Sequence, residues 1–177
     1  MKKIISQLYE LPLHYYIILI ITVLSVWTLM AIANERKRFW RRFNLIALII
    51  TVAVIILVTL AFRRTEAKGL SMIPFSSFEL AQTHSDIYLE MMLNVVLFFP
   101  VGLTMPFVMN GIVKRPIITT LLSAIALSTV IEVMQYILMR GYAEIDDVIF
   151  NTVGVLLGCI SYIISAAINA KRINHRE

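Results

Sequence analysis

Glu132 stands inside the apolar run Pro116–Leu138, with Ser128 four residues before it and Gln135 three residues after it. A helix through this run puts all three side chains on one face. A charge at the centre of a spanning helix costs about 2.5–3.5 kcal/mol on insertion scales, so a chain that keeps one gives it a partner or a task. The tasks open to a carboxylate beside a carboxamide are proton transfer, cation binding or capture of a polar headgroup, with Gln135 fixing its orientation. The structural alternative is helix–helix glue, polar side chains that hydrogen-bond across a packed bundle. Arg140 follows just beyond the run and is the cation expected near Glu132.

Asp146 and Asp147 open the next apolar segment. Adjacent aspartates at a helix start suit the positive end of the helix dipole, and Asp146 is the expected cap. Asp147 then has Asn151 one turn along its own face. Glu132, Asp147, Asn151 and, on the preceding apolar segment, Asn94 are hard oxygen ligands that together could hold Mg²⁺ or Ca²⁺. The spacing fixes no coordination geometry, and a protonic or hydrogen-bonded site ranks ahead of a metal. Asp147, Asn151, Gly154, Gly158, Ser161 and Ser165 form one polar and small-residue seam. Its G-x-x-x-G spacing lets another backbone approach closely, and the seam is expected to pack on the helix of Glu132. As a dimerisation signal it is weaker. Cys159, the single cysteine, reads as a small buried apolar residue.

The elements that position these groups follow from composition. The chain has 177 residues, 59% of them apolar, a mean hydropathy of +0.84 and a formal charge of +5. Soluble domains run nearer to about 45–50% apolar, and no water-soluble core of this length accommodates the excess. A spanning helix needs roughly 20 apolar residues. Five segments qualify, at 15–33, 43–62, 89–109, 116–138 and 148–167. The expected fold is therefore all-α, a polytopic membrane helix bundle with five transmembrane helices and one interfacial or re-entrant loop segment.

That loop segment is SMIPFSSF, where Met72, Ile73, Pro74, Phe75 and Phe78 are too apolar for a solvated loop. It is expected to cover the polar site, with Arg63 and Arg64 before it meeting lipid phosphate or snorkelling. Asn110-Gly111 marks a tight turn between antiparallel helices. Pro100, with Gly102, either opens a cleft toward Asn94 or makes a tolerated bend.

The first apolar run is longer than a signal-peptide core and is followed at once by Arg36, Lys37, Arg38, Arg41 and Arg42, so an uncleaved span is expected. With the N-terminus outside, the inner connections hold ten of the sixteen Lys and Arg residues, which favours that orientation and a cytoplasmic C-terminus. In either orientation the loop after residue 62 and the acidic segment before residue 148 share one side of the membrane. Basic residues placed between apolar runs fit anchoring at a membrane surface better than nucleic-acid binding. There is no Ser/His/Asp arrangement, phosphate-cradling glycine loop or metal-binding cysteine cluster, and His14, His84 and His175 have no ligand spacing.

Taken in order, IPF at 73–75, LNVVLFFPVGL at 93–103, IEVMQ at 131–135 and RGYAEIDDVIFNTVGVLLG at 140–158 resemble the VanZ-like family of bacterial membrane proteins. The resemblance covers about residues 63–165. The chain is then expected to divide into an N-terminal helix pair (1–62), which matches only as generic spans, a VanZ-like three-helix core with its amphipathic loop (63–168) and a short cytoplasmic tail (169–177). The resemblance also implies a link to resistance against teicoplanin and related glycopeptides, which act on cell-wall precursors. The functional positions it implies are Glu132, Gln135, Arg140, Asp146, Asp147, Asn151 and Asn94.

Three expectations follow. The first is an envelope protein of the plasma membrane that binds or modifies a lipid or lipid-linked wall precursor at an outward-facing acidic site. Glu132 or Asp147 would then be general base, and Arg140 would hold phosphate or carboxylate. The second is a non-catalytic scaffold or binder that excludes the antibiotic. The third is a small proton-coupled transporter, against which no inverted repeat is evident.

Overall fold

A computed structural model describes residues 37–61, 69–82 and 85–174. In chain order these form helix α1 (Lys37–Ile56), a π-helical turn (Leu57–Ala61), strand β1 (Gly69–Ser71), the short helix α2 (Ser76–Ala81), helices α3 (Ser85–Met109) and α4 (Pro116–Leu138), strand β2 (Tyr142–Glu144) and helix α5 (Ile145–Asn174). Four helical stretches are long and apolar enough to cross a membrane: Arg41–Leu60, Ile87–Met109, Pro116–Leu138 and Ile145–Ile168. Four of the five expected spans are thus present. The fifth, at 15–33, lies outside the described residues, as do Arg63 and Arg64. The chain is a multi-pass membrane helix bundle.

Each spanning helix keeps large apolar side chains on its outer surface, among them Ile46, Ile49 and Ile50 on α1, Leu122 and Val130 on α4, and Leu156 and Ile160 on α5. In water such exposure would be untenable; against acyl chains it is what a span requires. Inside, Ile55, Phe98, Val101, Ala124, Ile131, Val155 and Cys159 form the main core, and Cys159 is buried as an apolar filler. A second cluster joins Phe99, Leu103 and Tyr162, with Phe107 set edge-on to Tyr162 at 4.7 Å between ring centroids.

The tightest joint is between α3 and α5. A Cβ on Gly102 would lie 2.0 Å from the carbonyl oxygen of Val155. One on Gly154 would lie 2.2 Å from that of Val95, and one on Gly158 2.2 Å from that of Phe99. Three glycines from two helices therefore interlock backbone against backbone. This corrects the seam expected to face the helix of Glu132: its glycines pack on α3, and its Asn151 turns toward α4. The face splits because a glycine notch receives a neighbouring backbone, whereas a carboxamide needs a hydrogen-bond partner. The space beside Gly102 is accordingly filled by α5 and opens no cleft toward Asn94. The helix runs on through Pro100, and Thr104 donates its hydroxyl back to the Pro100 carbonyl at 2.7 Å.

The α3–α4 turn forms where expected. Ile112 and Val113 both donate to the Met109 carbonyl, and Gly111 takes φ 80°, which its missing Cβ permits. At the other end of α4, Met139 adopts φ 54° and the Arg140 N–H donates to the Gln135 carbonyl at 2.9 Å, closing the helix and turning the chain back toward the bundle.

One feature had no signal in the apolar pattern. β1 and β2 pair in parallel, Gly69 opposite Tyr142, Leu70 opposite Ala143 and Ser71 opposite Glu144. The loop before α2 and the segment before α5 thus meet directly, as sharing one side of the membrane demands. A Cβ on Gly69 would sit 1.6 Å from the Tyr142 ring, a side chain that is itself 46% exposed. Gly69→Ala is expected to lower thermal stability because the ring must swing away, and Tyr142→Ser in the same chain to restore most of the loss. A thermal-melt comparison that shows no rescue in the double variant would place the damage elsewhere.

Candidate functional site

The end of the bundle where α4 stops and α5 starts gathers the polar groups singled out by spacing. Glu132, Gln135, Asp146 and Asn151 are 7%, 1%, 1% and 4% exposed, so each needs a partner within the protein. Asn94, Arg140 and Asp147 are half-buried, and Pro74 and Phe75 lie on the surface.

Glu132 uses Oε2 to accept the backbone N–H of Glu144 at 3.0 Å, which fastens β2 to α4. Glu144 in turn accepts the Ser77 hydroxyl at 3.4 Å. Asp146 carries the most specific contact. Its two carboxylate oxygens accept the backbone N–H groups of Phe75 at 2.5 Å and Ser77 at 2.8 Å. Helix α2 has no side-chain cap of its own, and Phe75, at its N-terminal boundary, is held at φ 65°. Asp146 was expected to cap its own helix. It caps α2 instead, because the early N–H groups of a helix are orphaned and a buried carboxylate at the α5 start lies within reach.

Asp147 accepts the Asn94 amide at 2.7 Å, joining α5 to α3. The Asn151 amide donates to the Ser128 hydroxyl at 2.8 Å, joining α5 to α4. Gln135 donates its amide to the Thr59 carbonyl at 3.1 Å, joining α4 to the π-helical turn that ends α1. The expected polar positions therefore meet at one end of the bundle, where Arg140 contributes its backbone N–H to the α4 cap. Among the described residues, no three His, Cys, Asp or Glu side chains converge as a metal-ligand group. Asn94 presents its NH₂, a donor, to Asp147, which leaves Asn94 nothing but its oxygen for any ion.

Among the described residues, two buried acceptors have no hydrogen-bond partner, Gln135 Oε1 and Asn151 Oδ1. Both belong to residues that spacing marks in the sequence. Ser77, Glu144 and Thr59 carry no such mark. Ser77 and Glu144 lie inside segments that the sequence marked as polar or amphipathic. Thr59 acts through a backbone carbonyl, for which no residue type is a signal.

Over this site lies an apolar strap. Leu70, Met72, Ile73 and Phe75 are between 55% and 71% exposed. Phe78 packs on Phe150 of α5 at 5.7 Å between centroids, and Phe75 neighbours Phe78 at 6.2 Å. An apolar surface at the end of a span fits the headgroup–acyl boundary of a bilayer.

Residues 13–166 match the family model described as VanZ/LLP1. No curated protein and no solved structure matches the chain.

Proposed function

Because this chain belongs to the VanZ/LLP1 family, we propose that it protects the bacterial envelope against teicoplanin-class glycopeptides by binding or modifying a lipid or lipid-linked wall precursor. The site is the acidic end of the bundle, and the distribution of basic residues supports an outer-leaflet position for it. The observation that carries the reading is the combination at that end. An exposed apolar strap suited to lipid is clamped by buried Asp146, and the polar groups at this end include two buried acceptors without a partner among the described residues. In the catalytic form of this reading Glu132 or Asp147 is the general base, while Arg140 holds phosphate or carboxylate.

A second reading, a binder without turnover, is favoured by the way the carboxylates are used. Glu132, Asp146 and Asp147 all accept hydrogen bonds from the protein's own N–H groups, which suits holding a shape more than moving a proton. One experiment tests both forms. Cells producing wild type at matched membrane levels should grow at teicoplanin concentrations that stop cells without it, and Glu132→Ala should abolish the protection. Protection lost with Glu132→Gln points to proton transfer, whereas protection kept with Gln points to binding. Equal susceptibility of wild-type, Glu132→Ala and empty cells overturns the proposal.

A further inference from the structure

The charges of this chain are sorted by end. Among the described residues, every Asp and Glu lies on α2, in the first two turns of α3, in the last two turns of α4, on β2 or in the first turn of α5. All of these belong to the end that carries the candidate site. The opposite end is made by the start of α1, the α3–α4 turn and the end of α5, and there the described charged residues are all Lys or Arg.

Four of these cations stand at one level. Arg41 and Arg42 on α1, and Lys114 and Arg115 in the α3–α4 turn, are exposed. Thr59 and Gln135 are hydrogen-bonded to each other at the site end. Eighteen residues separate Thr59 from Arg41 and twenty separate Gln135 from Arg115, which at about 1.5 Å per residue puts the two pairs about 27 and 30 Å from that bond. They therefore lie within one turn of the same depth. Leu48 of α1, Met105 of α3 and Ile117 of α4 pack on one core, so the two pairs belong to neighbouring parts of the bundle.

The surface beside the cations decides the partner. One turn further into the spans, Leu45, Ile46 and Ile118 are 43%, 58% and 48% exposed, and Ile112 in the turn itself is 60% exposed. A soluble polyanion would neutralise the charges and leave this apolar surface in water. A molecule with an anionic head and an apolar tail covers both. Phosphate suits the head, because the guanidinium fork gives paired N–H donors to two of its oxygens and Lys adds a compact charge.

We infer that Arg41, Arg42, Lys114 and Arg115 form a docking surface for anionic phospholipid headgroups in the leaflet opposite the candidate site. Four cations exceed what one monoanionic headgroup neutralises, so a lipid with two phosphates is held more firmly than a lipid with one. Lys171, though exposed, takes no part. Asn151 meets Ser128, and Lys171 is twenty residues from Asn151 where Arg115 is thirteen from Ser128. Lys171 thus stands about 10 Å further out, beyond the Debye length of about 8 Å at physiological salt. This surface is separate from the acidic end and stands whatever that end binds.

The test uses the full chain in phosphatidylcholine nanodiscs that carry a minor fraction of phosphatidylglycerol or cardiolipin, with retained lipid read by native mass spectrometry. Each Lys or Arg near an anionic surface is worth on the order of a fivefold preference. Arg41→Gln with Arg42→Gln should lower the preference for phosphatidylglycerol over phosphatidylcholine by about twentyfold, and Lys114→Gln with Arg115→Gln by a similar factor. The fourfold variant should show no preference, and Lys171→Gln should behave as wild type. Wild type in rising salt gives the same reading without substitution, and its preference should decline. Equal retention of anionic and zwitterionic lipids by wild type overturns the proposal. An anionic preference that survives in the fourfold variant, or that ignores salt, does the same. A loss in Lys171→Gln as large as in Arg41→Gln with Arg42→Gln overturns the placement of the surface. Cardiolipin held no better than phosphatidylglycerol overturns the two-phosphate assignment. Soluble glycerol phosphate that displaces the lipid at equal concentration overturns the lipid assignment, since the acyl chains would then add nothing.

Discussion

Gly158→Val is expected to uncouple α3 from α5 and to leave little folded protein after mild heating. The Cβ alone would stand 2.2 Å from the Phe99 carbonyl oxygen and 2.6 Å from the Leu103 nitrogen. Both are backbone atoms inside a helix, so no rotamer change makes room and the helices must separate. Gly102 and Gly154 meet the opposite backbone at similar distances, and separation at one glycine loosens the contacts at the others. Overpacking a well-packed core costs about 1–3 kcal/mol, occasionally more, and a clash with rigid backbone belongs at the upper end. Leu157→Ala, at a neighbouring but outward-facing position, should be near neutral. The measurement is the fraction of monodisperse protein surviving a temperature series in detergent. A Gly158→Val chain as heat-resistant as Leu157→Ala would mean that the helices are not interlocked as described.

Asp146→Ala should release the strap while leaving the spanning helices assembled. The carboxylate is buried and answers two N–H groups of a segment about seventy residues away in sequence. Hydrogen bonds to charged groups contribute about 1.5–3 kcal/mol each, and removing the acceptor also strands the buried Ser77 N–H. Hydrogen exchange at the Phe75 and Ser77 amides should accelerate by about a hundredfold, taking the loss near 3 kcal/mol. Asp146→Asn should fall between, because one amide oxygen still accepts while the NH₂ opposes a donor. Asp147→Ala loses one bond, to Asn94, and should leave the strap amides protected. Unchanged exchange in Asp146→Ala would show that the strap is held by its aromatic contacts with Phe150 rather than by the carboxylate.

Both results turn on relationships that were only half legible in the chain. The positions of Glu132, Gln135, Asp146, Asp147, Asn151 and Asn94 were legible because a polar residue in an apolar run is conspicuous. Helical periodicity then fixes its face and depth. The glycine seam was legible as a seam, but its partner was not. Small residues at four-residue spacing state that a backbone comes close, and α3 and α4 both offered one. Asp146 was legible as a group that suits a helix start, yet α2 is too short to announce itself by periodicity, so the helix it serves was assigned wrongly.

By itself, the sequence determined that this chain is a multi-pass membrane protein, where four of its spans run, and that a carboxylate and carboxamides share one end of the bundle. Those properties follow from transfer free energies and helical geometry, which are local to each segment. The tertiary structure alone decided which donor meets which acceptor. It set the glycines of α5 against α3, gave Asp146 to the strap and Gln135 to the backbone of Thr59, and among the described residues left two buried oxygens without a donor. Pairings of that kind depend on distances between residues far apart in the chain, and no periodicity within a segment encodes them.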